Sequence, residues 1–189
     1  QDRMGLIDRF NAKKKQLNPF DNGTKKYIAL TKFGIDFLQS TDIFTQNLFF
    51  TRALENLMQG FGEEILSIIL ELDKHYLTRD EVLFFATFLY QKLDSKTYNR
   101  SDIISLIRDY RTLSKFQKQA LNEKIKSYCE PKNFSGDKTQ KIDFHNWINE
   151  TQQILSLLTQ MAYFEYNEHD VKLYIRTGTY GIYEDNTKL

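Results

Sequence analysis

Three histidines and a single cysteine are the side chains of this chain best suited to bind a transition metal or to attack a substrate. Zinc sites use Cys and His ligands in closely spaced groups such as CxxC and HExxH. His75, His145 and His169 are far apart, and Cys129 has no histidine near it in sequence to activate its thiol. The sequence therefore predicts no metal site and no catalytic residue of this kind.

The tripeptide Glu130-Pro131-Lys132 has the E-x-K spelling that a metal-dependent nuclease could use. Such a site needs carboxylates on adjacent strands to hold the cations, and a Lys to position water. Here the tripeptide follows a predicted helix, contains a proline and lacks an apolar strand to support it. We therefore predict that the chain binds but does not cut, and that it carries no cofactor of its own.

Charge is distributed in blocks, although the formal net charge is only +1. Residues 1–34 hold eight Lys and Arg against three Asp and Glu, and residues 92–141 hold twelve against six. Residues 42–90 and 142–189 are acidic, with three basic residues each against eight and seven acidic ones. The low net charge argues against a generally basic, histone-like protein, whereas the basic blocks favour local contacts with phosphates. The alternative is that these charge blocks are solvated surface faces that bind no ligand.

The basic blocks and one polar helix supply side chains suited to DNA. Lys and Arg neutralise phosphates, while Asn and Gln can form paired hydrogen bonds with adenine in the major groove. Taken singly, each residue is better explained as an exposed solubilising group, but together they predict a DNA-binding surface. The candidate DNA-binding residues are Arg3, Arg9, Lys13, Lys14, Lys15, Arg100, Arg108, Arg111, Lys115, Lys118, Lys138, Gln140, Lys141, Asn146 and Asn149.

Length and composition indicate an ordinary folded protein. The 189 residues are 41% hydrophobic and 14% aromatic, which is enough for a packed core. The single cysteine excludes internal disulfides and fits a reducing compartment. No apolar run approaches the ~20 residues that cross a bilayer, and the N-terminus has no signal-peptide segment. We expect a soluble, cytoplasmic protein without membrane contact, and a chain that begins at a boundary inside a structural element.

Hydrophobic spacing predicts a mainly α fold with a small β-hairpin. The first predicted elements are a short helix and its exit over residues 1–18, a turn at 21–23, a strand at 27–30, a helix at 32–39 and a helix at 42–57 with Phe44, Leu48 and Ala53 inward. The helical spacing of Ile65, Ile68, Ile69 and Leu72 predicts a further helix. A capping box at 78–81, in which the Thr hydroxyl and the Glu carboxylate satisfy each other's backbone amides, opens an apolar helix at the core centre, with apolar residues from Val82 to Leu89.

The later elements complete a recognisable order. They are two basic helices at 99–110 and 114–128 with flanking loops at 94–98 and 129–136, a long helix at 140–161, a hairpin at 163–176 and an irregular tail at 177–189. Helix, turn, helix, third helix and hairpin is the order of a winged helix. We predict a winged-helix-like domain with a helical insertion at about 95–137, preceded by the tail of a first winged-helix-like subdomain.

The segments also resemble the DNA-recognition region of AlwI-type type IIS restriction endonucleases and related nicking endonucleases. The resemblance rests on DRMGL (2–6), similar to the family's basic helix, and on YIALTKFGIDFL (27–38), similar to its strand and LTxxG segment. It extends over nearly the whole chain through DIFTQNLFF (42–50), EILSIILEL (64–72), LTRDEVLFFATFL (77–89), the basic insertion and QQILSLLTQMAYFEY (152–166).

This resemblance implies a bacterial restriction–modification enzyme that recognises double-stranded DNA and cuts it in a separate C-terminal PD-(D/E)xK domain using Mg²⁺. Residues 1–40 would be the C-terminal part of a first recognition subdomain, and residues 41–189 a complete second one. The family's catalytic residues have no counterpart here. A second nuclease subunit is left open as a partner of the parent protein, a type II site-specific deoxyribonuclease and hence a hydrolase.

Two other functions fit the same predicted fold. A winged helix can dock a protein, in which case Tyr163, Phe164, Tyr166 and Tyr174 on the hairpin would be exposed anchors. A winged-helix transcription regulator is the third possibility. Exposed hairpin aromatics would favour protein docking, whereas buried aromatics beside a basic face would favour DNA.

Overall fold

A computed structural model describes residues 2–20, 23–93, 96–128 and 144–176. Within these residues the backbone forms seven α-helices and three small antiparallel sheets. The predicted class, mainly α with small β elements, is confirmed in this outline. The chain divides into two compact units, each of which is described by itself. The predicted division at residue 40 into two recognition subdomains stays a prediction.

The first unit comprises residues 1–64 and 160–162. Its main elements are β1 (Ile7–Phe10), β2 (Gln16–Leu17), β3 (Tyr27–Leu30), α1 (Lys32–Gln39) and α2 (Ile43–Leu57), with strand order β2-β1-β3. Asp42 caps α2 by accepting a hydrogen bond from the Thr45 amide at 2.7 Å. The strand β3 and the helices α1 and α2 lie where the sequence predicted them.

The predicted helix over residues 1–18 is wrong, because this segment contains the β1–β2 hairpin. The Asn11 carboxamide accepts hydrogen bonds from the amides of Lys13 and Lys15 at 2.9 and 3.0 Å, which closes the turn. Gly5 precedes β1 with a left-handed φ of 77° that a right-handed helix cannot contain. Pairing of β1 with β3 outweighs an apolar spacing that is also compatible with a helix.

The inner face of α2 differs in one position from the prediction. Phe44, expected to point inward, is 60% exposed, whereas Ala53 is fully buried as predicted. Phe49 occupies the position facing α1, with its ring centroid 5.4 Å from that of Phe33 and 6.0 Å from that of Phe37. The first turn of α2 therefore lies outside the packed part of this unit.

The second unit comprises residues 65–159 and 163–189. Its elements are most of α3 (Phe61–Glu71), β4 (Tyr76–Thr78), α4 (Arg79–Phe84), a 3-10 turn (Ala86–Phe88), β5 (Lys92–Leu93), β6 (Lys96–Thr97), α5 (Arg100–Thr112), α6 (Lys115–Tyr128), α7 (Phe144–Gln160), β7 (Phe164–Asn167) and β8 (Lys172–Ile175). The strands β4, β8 and β7 form one antiparallel sheet in that order, so β8 lies in the middle and pairs with both β4 and β7.

One hydrophobic core joins these elements. Helix α3 buries Ile65, Ile68 and Ile69, and Leu72 directly after it is also buried, at the helical spacing predicted from the sequence. The other fully buried large side chains of this unit come from α3 itself, from the sheet and from α5 and α7: Leu66, Leu77, Ile103, Ile107, Leu158, Phe164 and Leu173. Both strands of the predicted hairpin are present, at β7 and β8.

Helix α4 is shorter than predicted. The capping box at its start is present, with the Thr78 hydroxyl accepting from the Glu81 amide and the Glu81 carboxylate accepting from the Thr78 amide. The helix ends at Phe84, and the Thr87 hydroxyl donates back to the Leu83 carbonyl at 2.8 Å. The indole of Trp147 donates to that same hydroxyl at 3.2 Å, so packing against α7 holds the tightened turn.

The predicted insertion is largely helical. Helices α5 and α6 lie within two residues of their predicted bounds, and Asn99 with Asp102 forms a capping box at the start of α5. The predicted loop at 94–98 instead includes β6, which pairs with β5. The predicted loop at 129–136, the start of the long helix at 140 and the tail at 177–189 lie outside the described residues. No helix of the described part is both long and apolar enough to cross a membrane.

Candidate nucleic-acid interface

The second unit contains a cleft of about 710 Å³ bounded by the β4–α4 segment, by α5 and α6, and by the turn between β7 and β8. Its lining is dominated by charged and aromatic side chains. Five basic residues, Lys74, Arg79, Arg108, Arg111 and Lys118, meet four acidic ones, Asp73, Asp80, Glu81 and Asp170, with Tyr76 and Tyr110 in the wall. A cleft of this kind fits a charged polymer better than an apolar small molecule.

The floor of the cleft is an ion pair between Arg111 and Glu81. The Arg111 Nε lies 2.8 Å from Glu81 Oε1 and Nη2 lies 2.9 Å from Oε2, so the contact is bidentate. Nη2 also donates to the Tyr76 carbonyl at 2.6 Å, and the guanidinium lies 4.7 Å above the Tyr76 ring. The Glu81 side chain is 3% exposed. Arg111 therefore fastens α5 to the β4–α4 segment.

The ionisation of Arg111 reflects this position. Burial acts to lower its pKa, but the hydrogen bonds and charge of Glu81 outweigh burial and raise the pKa above its ordinary value. The guanidinium therefore stays charged, with its Nε and Nη2 committed to protein acceptors. Arg111 was predicted to contact DNA from its position in the basic insertion. In the structure it joins α5 to the wall of the cleft, and its contact with DNA stays a prediction.

Tyr110 links α5 to α6. Its ring contacts Phe85 edge-on at 5.1 Å, and its hydroxyl donates to the Asn122 side chain at 3.2 Å. Burial raises the pKa of Tyr110 above its ordinary value, so the hydroxyl remains a donor at neutral pH. The Lys118 ammonium lies 5.1 Å above the ring on the cleft side. This stacking holds a positive charge at the rim of the cleft.

The opposite rim is formed by the β7–β8 turn. The Tyr174 hydroxyl donates to Asp170 at 2.5 Å, and the Lys172 ammonium lies 3.1 Å from the same carboxylate. The Tyr174 hydrogen bond is the main reason that the pKa of Asp170 lies below its ordinary value. Lys172 also lies 4.5 Å above the Tyr76 ring. The negative charge of Asp170 is therefore paired within the rim.

The predicted residues of the insertion occupy different positions. Arg108, Arg111 and Lys118 line the cleft, whereas Lys115 is exposed at the start of α6 and does not line it. Arg100 forms an ion pair with Glu71 at 3.8 Å, and Arg108 donates to the Glu71 carbonyl at 2.7 Å. The cleft thus brings together three of the five residues predicted from this block.

Two basic lining residues were missed by the sequence analysis. Lys74 and Arg79 are exposed and lie in the acidic block of residues 42–90, so block counting conceals them. Within the described residues, neither side chain has an ion pair or a hydrogen bond, which leaves their donors available. No local motif marks them, since Arg79 falls inside the capping box and was interpreted there only as a helix start.

Helix α7 presents part of its predicted polar face. Asn146 is exposed and Asn149 is half-buried, while Trp147, Thr151, Leu155 and Leu158 form the buried side. Lys138, Gln140 and Lys141, which were predicted to begin this face, lie outside the described residues. The DNA contact assigned to Asn146 and Asn149 stays a prediction.

The N-terminal basic residues belong to the first unit and sit on the sheet rather than on a helix. Lys13, Lys14 and Lys15 are exposed in the β1–β2 turn, and Arg3 is exposed with its guanidinium 5.5 Å from the Phe20 ring. The remaining residue, Arg9, pairs with Asp2 and donates to the carbonyls of Asn18 and Pro19. Arg9 is therefore held within its own unit, and convergence of this block with the insertion stays a prediction.

Two of the four hairpin aromatics are buried and two are half-buried. Tyr163 is 4% exposed and Phe164 fully buried, and Tyr166 and Tyr174 are half-buried. The exposed anchors that would favour protein docking are therefore not present among these four residues. In the described part of the chain, no group of three or more His, Cys, Asp or Glu side chains is placed to hold a metal ion, and Glu130-Pro131-Lys132 lies outside that part.

The sequence was then compared with known proteins. Residues 1–41 match the family model of the type IIS restriction enzyme MboII middle domain. The match covers β1 to β3 and α1 and supports a relation to type IIS restriction enzymes, without supporting the AlwI type in particular. No curated protein and no solved structure matches the chain.

Proposed function

We propose that this chain is a DNA-recognition segment of a type IIS-like restriction endonuclease, and that its second unit is a winged-helix domain that holds duplex DNA. The observation that carries the proposal is the order of elements. Helices α3 and α4 flank β4, helix α7 precedes the β7–β8 hairpin, and β4 pairs with β8. This order supports a winged helix with α5 and α6 inserted before its third helix.

The position of free cations supports DNA as the ligand. Lys74, Arg79 and Lys118 are on one cleft, together with the exposed Arg108. Phosphate contacts of this kind supply sequence-independent affinity, and a polar α7 would read bases. None of the four hairpin aromatics is exposed, since two are buried and two half-buried, and this weakens the argument for protein docking. The match of residues 1–41 supports the restriction-enzyme context.

Cleavage is assigned to a separate domain of the parent enzyme. In the described residues, no group of three or more His, Cys, Asp or Glu side chains is placed to hold a metal ion such as Mg²⁺. Double-stranded DNA is the proposed partner, and a second nuclease subunit would act in the parent protein rather than at this cleft. The bacterial, cytoplasmic setting follows from the proposed restriction–modification role.

A pair of variants on one helix tests the proposal. Lys118 lines the cleft and Lys124 is exposed on the same helix outside it, so Lys118→Gln and Lys124→Gln remove equal charge from different places. Fluorescence anisotropy with a labelled 20-base-pair duplex at 50 mM salt should show roughly threefold to tenfold weaker binding for Lys118→Gln only. Equal binding by both variants, or no binding by the unmodified chain, would contradict the proposal.

A further inference from the structure

Two further depressions adjoin the cleft, and both are shaped by helix α7. One, of about 320 Å³, is lined by residues of α4, α6 and α7 that include Arg79, Asn122, Lys126 and Gln152. The other, of about 350 Å³, lies further along α7 beside the hairpin and includes Arg79, Gln152, Ser156 and Tyr166. Arg79 also lines the main cleft, so all three depressions meet at this side chain.

The backbone of Arg79 is fixed by a hydrogen bond, whereas its side chain is exposed. Its amide donates to the Val171 carbonyl at 3.1 Å, which ties the residue to the β7–β8 turn. Within the described residues its guanidinium has no ion pair and no hydrogen bond, although Asp80 and Glu168 line the same depressions. A guanidinium offers five donors in a planar fork that matches a phosphate better than a single ammonium does.

The surroundings of Arg79 are suited to a phosphodiester. Gln152 is exposed with no hydrogen bond from its side chain among the described residues, so its carboxamide can also donate to a phosphate oxygen. Lys126 pairs with Glu123 at 2.7 Å and lies 5.5 Å above the Phe144 ring, which fixes a second positive charge on the α6 side. Burial raises the pKa of Tyr166, and the positive charge of Arg79 acts in the opposite direction. This is the effect expected of a guanidinium close to that phenol.

We propose that Arg79 and Gln152 form a phosphodiester-binding subsite on the flank of α7, through which a DNA strand passes from the main cleft into the groove between α6 and α7. The inference rests on the proposed function, because the ligand is the same duplex DNA. It adds that the inserted helix α6 and helix α7 contact the same strand. Glu168 lines the depression beside the hairpin and would repel a phosphate there, so the strand leaves through the other depression, toward Lys126.

The test compares Arg79→Gln with Lys124→Gln in the complete chain, using the labelled 20-base-pair duplex at several salt concentrations. Arg79→Gln should weaken binding about fivefold to twentyfold at 50 mM salt and reduce the slope of log K against log salt by about 0.9. Arg79→Lys should recover part of the affinity but not all, because it restores charge without the fork. Circular dichroism should not distinguish the variants, since the Arg79 side chain is exposed and has no ion pair or hydrogen bond within the described residues.

A double-variant cycle locates the contact. Gln152→Ala should weaken binding of the unmodified chain about threefold and should have a smaller effect when Arg79 is already Gln, because both side chains would hold one phosphate. Fully additive effects would overturn the shared subsite. If the unmodified chain binds DNA and Arg79→Gln behaves like Lys124→Gln, this inference is wrong while the proposed function stands. If the unmodified chain does not bind, the proposed function itself fails.

Discussion

The ion pair between Arg111 and Glu81 offers the sharpest structural prediction, because removing one partner leaves the other charge in the interior. Arg111→Gln would leave a carboxylate that is 3% exposed, with the Thr78 amide as its remaining charge-stabilising donor at 2.9 Å. Breaking a buried pair in this way costs about 3–5 kcal/mol. The Arg111 side chain is 18% exposed, so we expect a value near the lower limit, about 3 kcal/mol.

Urea denaturation followed by circular dichroism at 222 nm (a standard helix signal) measures this loss. The matched control is Arg108→Gln on the same helix, whose exposed side chain makes one hydrogen bond to the Glu71 carbonyl and should cost about 1 kcal/mol or less. Adding Glu81→Gln to Arg111→Gln should recover part of the stability, since the buried charge is then gone and Gln can still serve the capping box. A loss for Arg111→Gln no greater than that for Arg108→Gln would refute the reasoning.

Two further predictions concern the first unit. Burial raises the pKa of Glu55 from 4.5 to about 7, and the charge of Glu63 acts in the same direction. The protonated carboxyl therefore contributes its full stability below pH 4.5, and this contribution is lost as the pH rises through 7. The free energy of unfolding should fall by at most about 3 kcal/mol over this range, and Glu55→Gln should abolish this pH dependence. Urea denaturation of both proteins at pH 5 and pH 8 measures the difference. Equal pH dependence in the two proteins would contradict the prediction. Gly34→Ala would place a Cβ 2.1 Å from the Leu6 carbonyl oxygen, so the thermal midpoint should fall by roughly 10 °C; an unchanged midpoint would show that the helix can move away at no cost.

Local signals in the sequence accounted for much of the fold. The Asp42 cap, the capping box at Thr78 and the helical spacing of α3 are each set by neighbours within a few residues, and each element lies where it was predicted. The prediction for the N-terminal segment failed because β1 pairs not only with its neighbour β2 but also with β3, a partner about 20 residues away. Helix α4 ends earlier than predicted, at a turn where Trp147, distant in sequence, donates to Thr87.

The candidate site was predictable only in part. Charge counting identified the insertion, but it cannot tell a half-buried Lys118 stacked on Tyr110 from an Arg111 that is paired with Glu81. It also missed Arg79, because this residue lies among acidic neighbours in sequence and reaches the cleft only after the β-sheet and the inserted helices have assembled. Exposure and pairing depend on tertiary contacts, which composition does not contain.

The central claim, that the chain binds duplex DNA through phosphate contacts, is tested most directly by the salt dependence of its affinity. With three to five cations of the second unit engaged, log K should fall linearly with log salt between 50 and 200 mM, with a slope of about −2.7 to −4.5. A slope near zero, or no anisotropy change at 50 mM salt with micromolar protein, would contradict the account.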